Sequence, residues 1–138
     1  MKAISLWQPY ATLAVTGAKH YETRGWWTDY RGLLAIHAAK KPVKGVLRML
    51  PPEVVGTISR ALRGRDLNRL PTGAVLGTVY IEDCIEVTES FVASLTPRER
   101  ACGDFTIGRY AWVMEGAREY ERPIPADGMQ RLWNWRGF

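Results

Sequence analysis

Residues 108–115, Gly-Arg-Tyr-Ala-Trp-Val-Met-Glu, alternate between two faces, with Tyr110, Trp112 and Met114 on one and Arg109, Ala111, Val113 and Glu115 on the other. That two-residue period belongs to a strand; on a helix it would scatter the three large apolar side chains around the axis. Ala74-Val-Leu-Gly-Thr-Val-Tyr-Ile81 is a second strong strand pattern, and Glu82 to Thr88 extends or bends it. Two strands of this quality commit the chain to a sheet, and the remaining segments must pack against it.

The first half supplies the helices. Lys2 to Trp7 reads as a short strand, stopped at Gln8-Pro9. Proline suits the first helical turn, and Ala11, Leu13, Ala14 and Val15 give a helix of about two turns that Gly17 ends. Tyr21 to Arg24 resumes in extended form, and Gly25 to Tyr30 is an aromatic loop. Gly32 to Ala38 is a buried strand ending near His37.

Val43, Val46, Leu47 and Leu50 fit one helical face before Pro51-Pro52 interrupts. Val54, Ile58, Ala61 and Leu62 then repeat at helical spacing, with Arg60, Arg63 and Arg65 on the wet side. Residues 66–73 read as a loop. Thr96-Pro-Arg-Glu99 carries a helix start, residues 123–128 a turn-rich connector, and Leu132 to Trp135 a closing strand. The expected fold is α+β: one domain over residues 1–138, with five or six strands in a curved sheet or small barrel and short helices outside it.

Composition excludes several classes. The chain has 138 residues, 46% hydrophobic and 24% charged, which matches one globular domain. No apolar run approaches a membrane span, and the N-terminus lacks a signal-peptide pattern. Cys84 and Cys102 have no metal-ligand spacing, so two reduced thiols in a cytoplasmic setting are expected, with no metal and no cofactor. The assembly expected is a monomer.

Charge is uneven. Residues 1–69 hold five Lys and seven Arg against four acids, a balance of +8; residues 70–138 hold seven Arg against ten acids, a balance of −3. A basic half favours a polyanionic partner, because each neutralised phosphate releases counterions. RNA, or a nucleoside or nucleotide, is the expected ligand, with DNA as a further candidate.

Chemistry concentrates around Lys19, Glu22 and Arg24. Lys19 follows the helix stop, and Glu22 and Arg24, two apart on an extended segment, share a face. Two readings stand: a structural ion pair, or a pair in a cleft where burial lets one group act as acid and the other as base. His37, at a strand end, is either a satisfied core histidine or a cleft-facing proton carrier. Lys40 suits a phosphate contact. Trp26, Trp27 and Tyr30 follow Arg24 in a loop, where exposed rings stack on bases and one Trp plugs the core. Trp7, Trp112, Trp133 and Trp135 lie on strands, where core packing is the expectation for most. The Tyr110 hydroxyl is a further candidate for the cleft.

Gly17-x-Lys19-x-x-Glu22-x-Arg24 resembles the G-x-K-x-x-E-x-R signature of the ASCH domain, a relative of the PUA RNA-binding domain. Ser5-Leu-Trp-Gln-Pro-Tyr-Ala11, Tyr30 to Lys40, Gly108 to Val113 and Gly128 to Trp135 add to the resemblance, which spans nearly the whole chain. It implies a PUA-like β-barrel flanked by helices, with the signature lining a cleft and RNA as the usual ligand. Taken with the readings of single residues above, the expected site has Arg24, Lys40, Trp26, Tyr110 and Gln8 as ligand-binding residues and, for an enzyme, Lys19, Glu22 and His37 as catalytic ones.

One bacterial branch of the family hydrolyses acetylated cytidine nucleosides with a Lys, a Thr and a Glu. Its Lys matches Lys19, but its Thr position holds Glu22, Thr23 lies one place off, and its Glu has only Glu82 as a loose counterpart. The alternative to plain binding is therefore a metal-independent hydrolase, either an amidohydrolase of that kind or a ribonuclease, built on Lys19 and Glu22.

Overall fold

The computed structural model describes residues 1–137. Strands β1 (Lys2–Leu6), β2 (Tyr21–Arg24), β3 (Gly32–Ala38), β4 (Ala74–Glu86), β5 (Tyr110–Pro125) and β6 (Trp133–Asn134) form one sheet in the order β2-β5-β4-β3-β1-β6. β1 and β3 run parallel and every other neighbouring pair is antiparallel. The α+β class and the six strands agree with expectation. The barrel does not: among the described residues the ladder stays open, with β2 and β6 as its edges. Only four and two residues long, these strands pair inward alone. Register shifts at three places along β4 and β5 bend the sheet without closing it.

Alternation along the strands sorts side chains onto two layers. Ile4 and Leu6 of β1 and Leu34 and Ile36 of β3 join Trp112 and Met114 under helix α1 (Tyr10–Val15), which adds Ala11, Ala14 and Val15. Ala3 and Ala35, one residue out of phase, face the opposite layer with Val75, Trp133 and Trp135. Leu13, on the far side of α1, packs with α2 (Val43–Leu47) and α3 (Pro52–Ala61) through Val43, Ile58 and Leu62. Helix α1 is thus buried on both sides, and its C-terminal end is fixed where the signature begins. No helix among the described residues is long and apolar enough to cross a membrane.

Three local features differ from the sequence reading. β5 continues through the stretch read as a turn-rich connector, because Ile124 and Pro125 pair with Val75 and Ala74. β2 covers only residues 110–113 of β5, so the later prolines sit where β5 has a partner on one flank, a position that tolerates a missing N–H. A helix α4 (Glu89–Ser94), capped by Thr88, fills a stretch to which no element was assigned.

Helix α5 (Pro97–Ala101) starts as its signature predicts, with Thr96 Oγ1 accepting from the Glu99 N–H. The Glu99 carboxylate, however, does not turn back to its own helix. It accepts from the backbone N–H groups of His20 (2.7 Å) and Tyr21 (3.2 Å) and meets His20 Nδ1 at 2.9 Å, clasping the start of β2.

Candidate nucleotide-binding cleft

The site begins where α1 ends. Gly17 takes φ +79°, a left-handed value that costs a glycine little, and its N–H returns to the Ala14 carbonyl. The Lys19 N–H then reaches back to the Leu13 carbonyl at 3.0 Å, so the chain folds over the helix end and turns Lys19 inward, 3% exposed. β2 starts two residues later, and its pleat puts Glu22 and Arg24 on the face that Lys19 meets.

Lys19 Nζ donates to Glu22 Oε1 at 2.7 Å. Arg24 Nε lies 3.0 Å from Glu22 Oε2 but off the hydrogen-bond direction, a charge contact that leaves this buried N–H without an aligned acceptor. Arg24 Nη2 donates to the Ser5 carbonyl at 3.1 Å, tying the signature to β1. Two cations on one carboxylate leave the floor net positive. Such a buried chain is held together by its shared acid, since removing Glu22 strands both cations in a poorly solvated place.

This floor lies in a cavity of about 560 Å³ whose walls include Tyr10, Trp7, Trp26 and Arg109. Lys19 Nζ sits 5.0 Å from the centroid of the Tyr10 ring. Burial, and then repulsion from Cys102 (once it ionises), Glu22 and Asp104, raises the Tyr10 phenol above its ordinary value, so it stays protonated. Asp104 carries the opposite shift: hydrogen bonds from Thr106 hold its carboxyl low, and Arg109 Nε lies 3.6 Å away. The cavity thus offers fixed charges of both signs beneath aromatic walls.

Residues 4–125 match the family model of the ASCH domain. The chain belongs to the ASCH domain family. Activating signal cointegrator 1 of Homo sapiens is 40% identical over 89 residues, and its Mus musculus counterpart 40% over 87. Each match takes in 59% of this chain and 14% of the relative, so the chain spans a small part of those proteins' length. The ASCH protein of Zymomonas mobilis shares the fold at 19% identity, with a TM-score of 0.55 over 90% of this chain and 72% of that one. A point variant of that protein aligns with a TM-score of 0.57 at 17% identity, over 99% of this chain and 89% of that one.

Lys19, Glu22, Arg24 and Trp26 all line this cavity. Trp26 packs edge-on against Trp112 (6.5 Å between centroids) and is the plug of the aromatic loop, while Trp27 is exposed. Thr23 borders the cavity, but its hydroxyl donates to the Asp104 carbonyl at 2.7 Å. Glu82 is not among the cavity's lining residues.

Other candidates of this ASCH domain lie elsewhere. Gln8 is fully buried; its amide donates to Thr12 Oγ1 and the Pro71 carbonyl, both at 2.8 Å, and accepts from the Thr12 N–H. Its polar atoms brace the start of α1 and do not line the cavity. Tyr110 pairs with Arg24 across the β2–β5 ladder, yet its ring stacks edge-on with Trp27 (5.9 Å), outside the lining. His37 is 2% exposed and lies toward an adjoining cavity. Its Nε2 donates to the Ala126 carbonyl at 2.7 Å, and in the neutral ring Nδ1 accepts from the Ser5 hydroxyl at 3.0 Å. With both nitrogens engaged and the ring edge-on to Trp133, His37 has the contacts of a satisfied core histidine. Lys40 borders the same adjoining cavity, exposed and paired with Asp127 at 3.0 Å.

Tyr10, Ser5, Arg109 and Arg131 belong to these walls without having stood out in the sequence. Tyr10 follows the Gln-Pro pair inside a stretch already tied to the family, which was a usable signal. Arg131 sits at φ +59° in an irregular segment, where no periodicity announces a side chain's direction.

Proposed function

We propose that this ASCH domain binds RNA, holding one unpaired nucleotide in the cavity above Lys19, Glu22 and Arg24. The observation that carries the reading is the buried Lys19–Glu22–Arg24 chain beneath Tyr10 and Trp26 in a cavity of about 560 Å³. A nucleobase is a flat ring with donors and acceptors around its edge. The Glu22 carboxylate accepts from such an edge, the cations donate to it, and the aromatic walls stack on its face. The cavity volume is within the usual range for small-molecule pockets. The PUA-like fold and the basic first half support RNA as the source of that base.

The test is fluorescence polarisation with a labelled single-stranded RNA across a salt series. Affinity should fall as salt rises, and Arg24→Ala should weaken it about tenfold or more. Absence of binding to both RNA and DNA at low salt would sink the proposal.

One observation favours the hydrolase alternative: Lys19 Nζ and the Glu22 carboxylate form a close donor–acceptor pair at the floor of the cavity. Deacetylation of acetylated cytidine that disappears in Lys19→Met, followed by chromatography, would establish it; no turnover by the unaltered protein would remove it.

A further inference from the structure

A second cavity, of about 790 Å³, adjoins the first and shares Ser5, Trp7, Arg24 and Trp26 with it. The two therefore form one groove, with the tryptophans and Arg24 at the junction. Beyond the junction the groove runs between Lys40 and the segment 127–131.

The outer cavity has features that a nucleoside in the inner one would leave unused. Trp7 is 47% exposed, a large ring in water just past the end of β1, whose apolar side chains Ala3, Ile4 and Leu6 are buried, and Lys41 Nζ lies 4.7 Å from its centroid. The Arg131 guanidinium lies 4.6 Å from the Trp26 centroid, and that of Arg24 5.6 Å. Arg131 has no carboxylate partner among the described residues, and the acid in this lining, Asp127, is already paired with Lys40. Aromatic rings with cations beside them are what successive bases and their connecting phosphate require of a protein groove.

The inner floor dictates strandedness. Lys19 and Glu22 are 3% and 9% exposed, so a base reaches them only after leaving its stack. A nucleotide next to an extruded base is splayed as well and needs a platform of its own.

Resting on the reading of the inner cavity as a nucleotide pocket, we infer that the ligand is a single-stranded nucleic acid of at least two nucleotides. One base enters the inner cavity, the bridging phosphate lies by Arg24 and Arg131, and the next nucleotide occupies the outer cavity against Trp7.

The experiment compares nucleoside monophosphates, dinucleotides, a single-stranded hexamer in RNA and DNA form, and a duplex, all by calorimetry against the intact chain. The best dinucleotide should bind about tenfold or more tighter than its better monophosphate half. Arg131→Ala and Trp7→Ala, both exposed positions, should each cut that ratio to about threefold or less, with folding checked by circular dichroism. A dinucleotide no tighter than a monophosphate, a ratio unmoved in both variants, or a duplex bound as tightly as the hexamer would overturn the inference while leaving the inner pocket standing. Failure of every monophosphate and oligonucleotide to bind would instead overturn the nucleotide reading itself.

Discussion

Glu22 meets two cations, whereas each of those cations meets one carboxylate. Removing the acid therefore leaves Lys19 and Arg24 facing each other in a buried place. Removing Lys19 leaves Glu22 still neutralised by Arg24. Glu22→Gln should destabilise the fold by about 3–5 kcal/mol, the range for stranding a buried charge, and Lys19→Met should cost distinctly less. Urea denaturation of both variants reads the difference; equal losses would mean that the Arg24 contact contributes nothing. The sequence announced these three residues because strand pleat and a glycine stop fix their relative direction. It did not announce that Gln8 is spent within the fold, since the Pro71 carbonyl, 63 positions away, is brought to it by the tertiary structure alone.

At the scale of elements, the connector from β5 to β6 closes one side of the outer cavity. Gly128 approaches β1 and β3 so closely that an added Cβ would lie 2.5 Å from Ser5 Oγ and 2.6 Å from the His37 ring. Gly128→Ala should cost about 1–3 kcal/mol through overpacking. It should also disturb the Ser5–His37–Ala126 hydrogen bonds, which the His37 ring resonances in an NMR spectrum would report; unchanged resonances and an unchanged Tm would contradict this. Strands with alternating patterns, such as the start of β5, were legible one by one. The continuation of β5 past residue 115 was not, because its prolines read as turn residues until the pairing with β4 shows an unpaired flank that accepts them.

The whole molecule binds its helices to the sheet through α1, and Cys102 lies in that helical core with Leu13 and Ile58. Burial pushes the Cys102 thiol from 9.0 up to about 11, with Lys19 pulling it down and Glu99 pushing it further up. The unfolded chain thus loses this proton first. The contribution of Cys102 to stability is complete below pH 9.0 and is lost as pH climbs through about 11. Thermal melts should show Tm falling across that window, and Cys102→Ala should flatten part of the fall; an unaltered slope would exclude the thiol as its source. At this scale the α+β class and the strand count were readable, but the open ladder was not. Closure depends on whether two short edge strands meet, and no local pattern encodes that.

The clasp of Glu99 on the first residues of β2 bears on which molecules can approach this protein and from where. An edge strand with bare amides invites any extended peptide to add itself to the sheet. Here an acid from a separate helix occupies the amides of His20 and Tyr21, and the Arg109 guanidinium covers the Thr23 carbonyl at 3.0 Å. The strand that carries Glu22 and Arg24 thereby has its first amide and its Thr23 carbonyl already engaged along the flank, which disfavours an added strand and leaves the face, through the groove, as the easier approach.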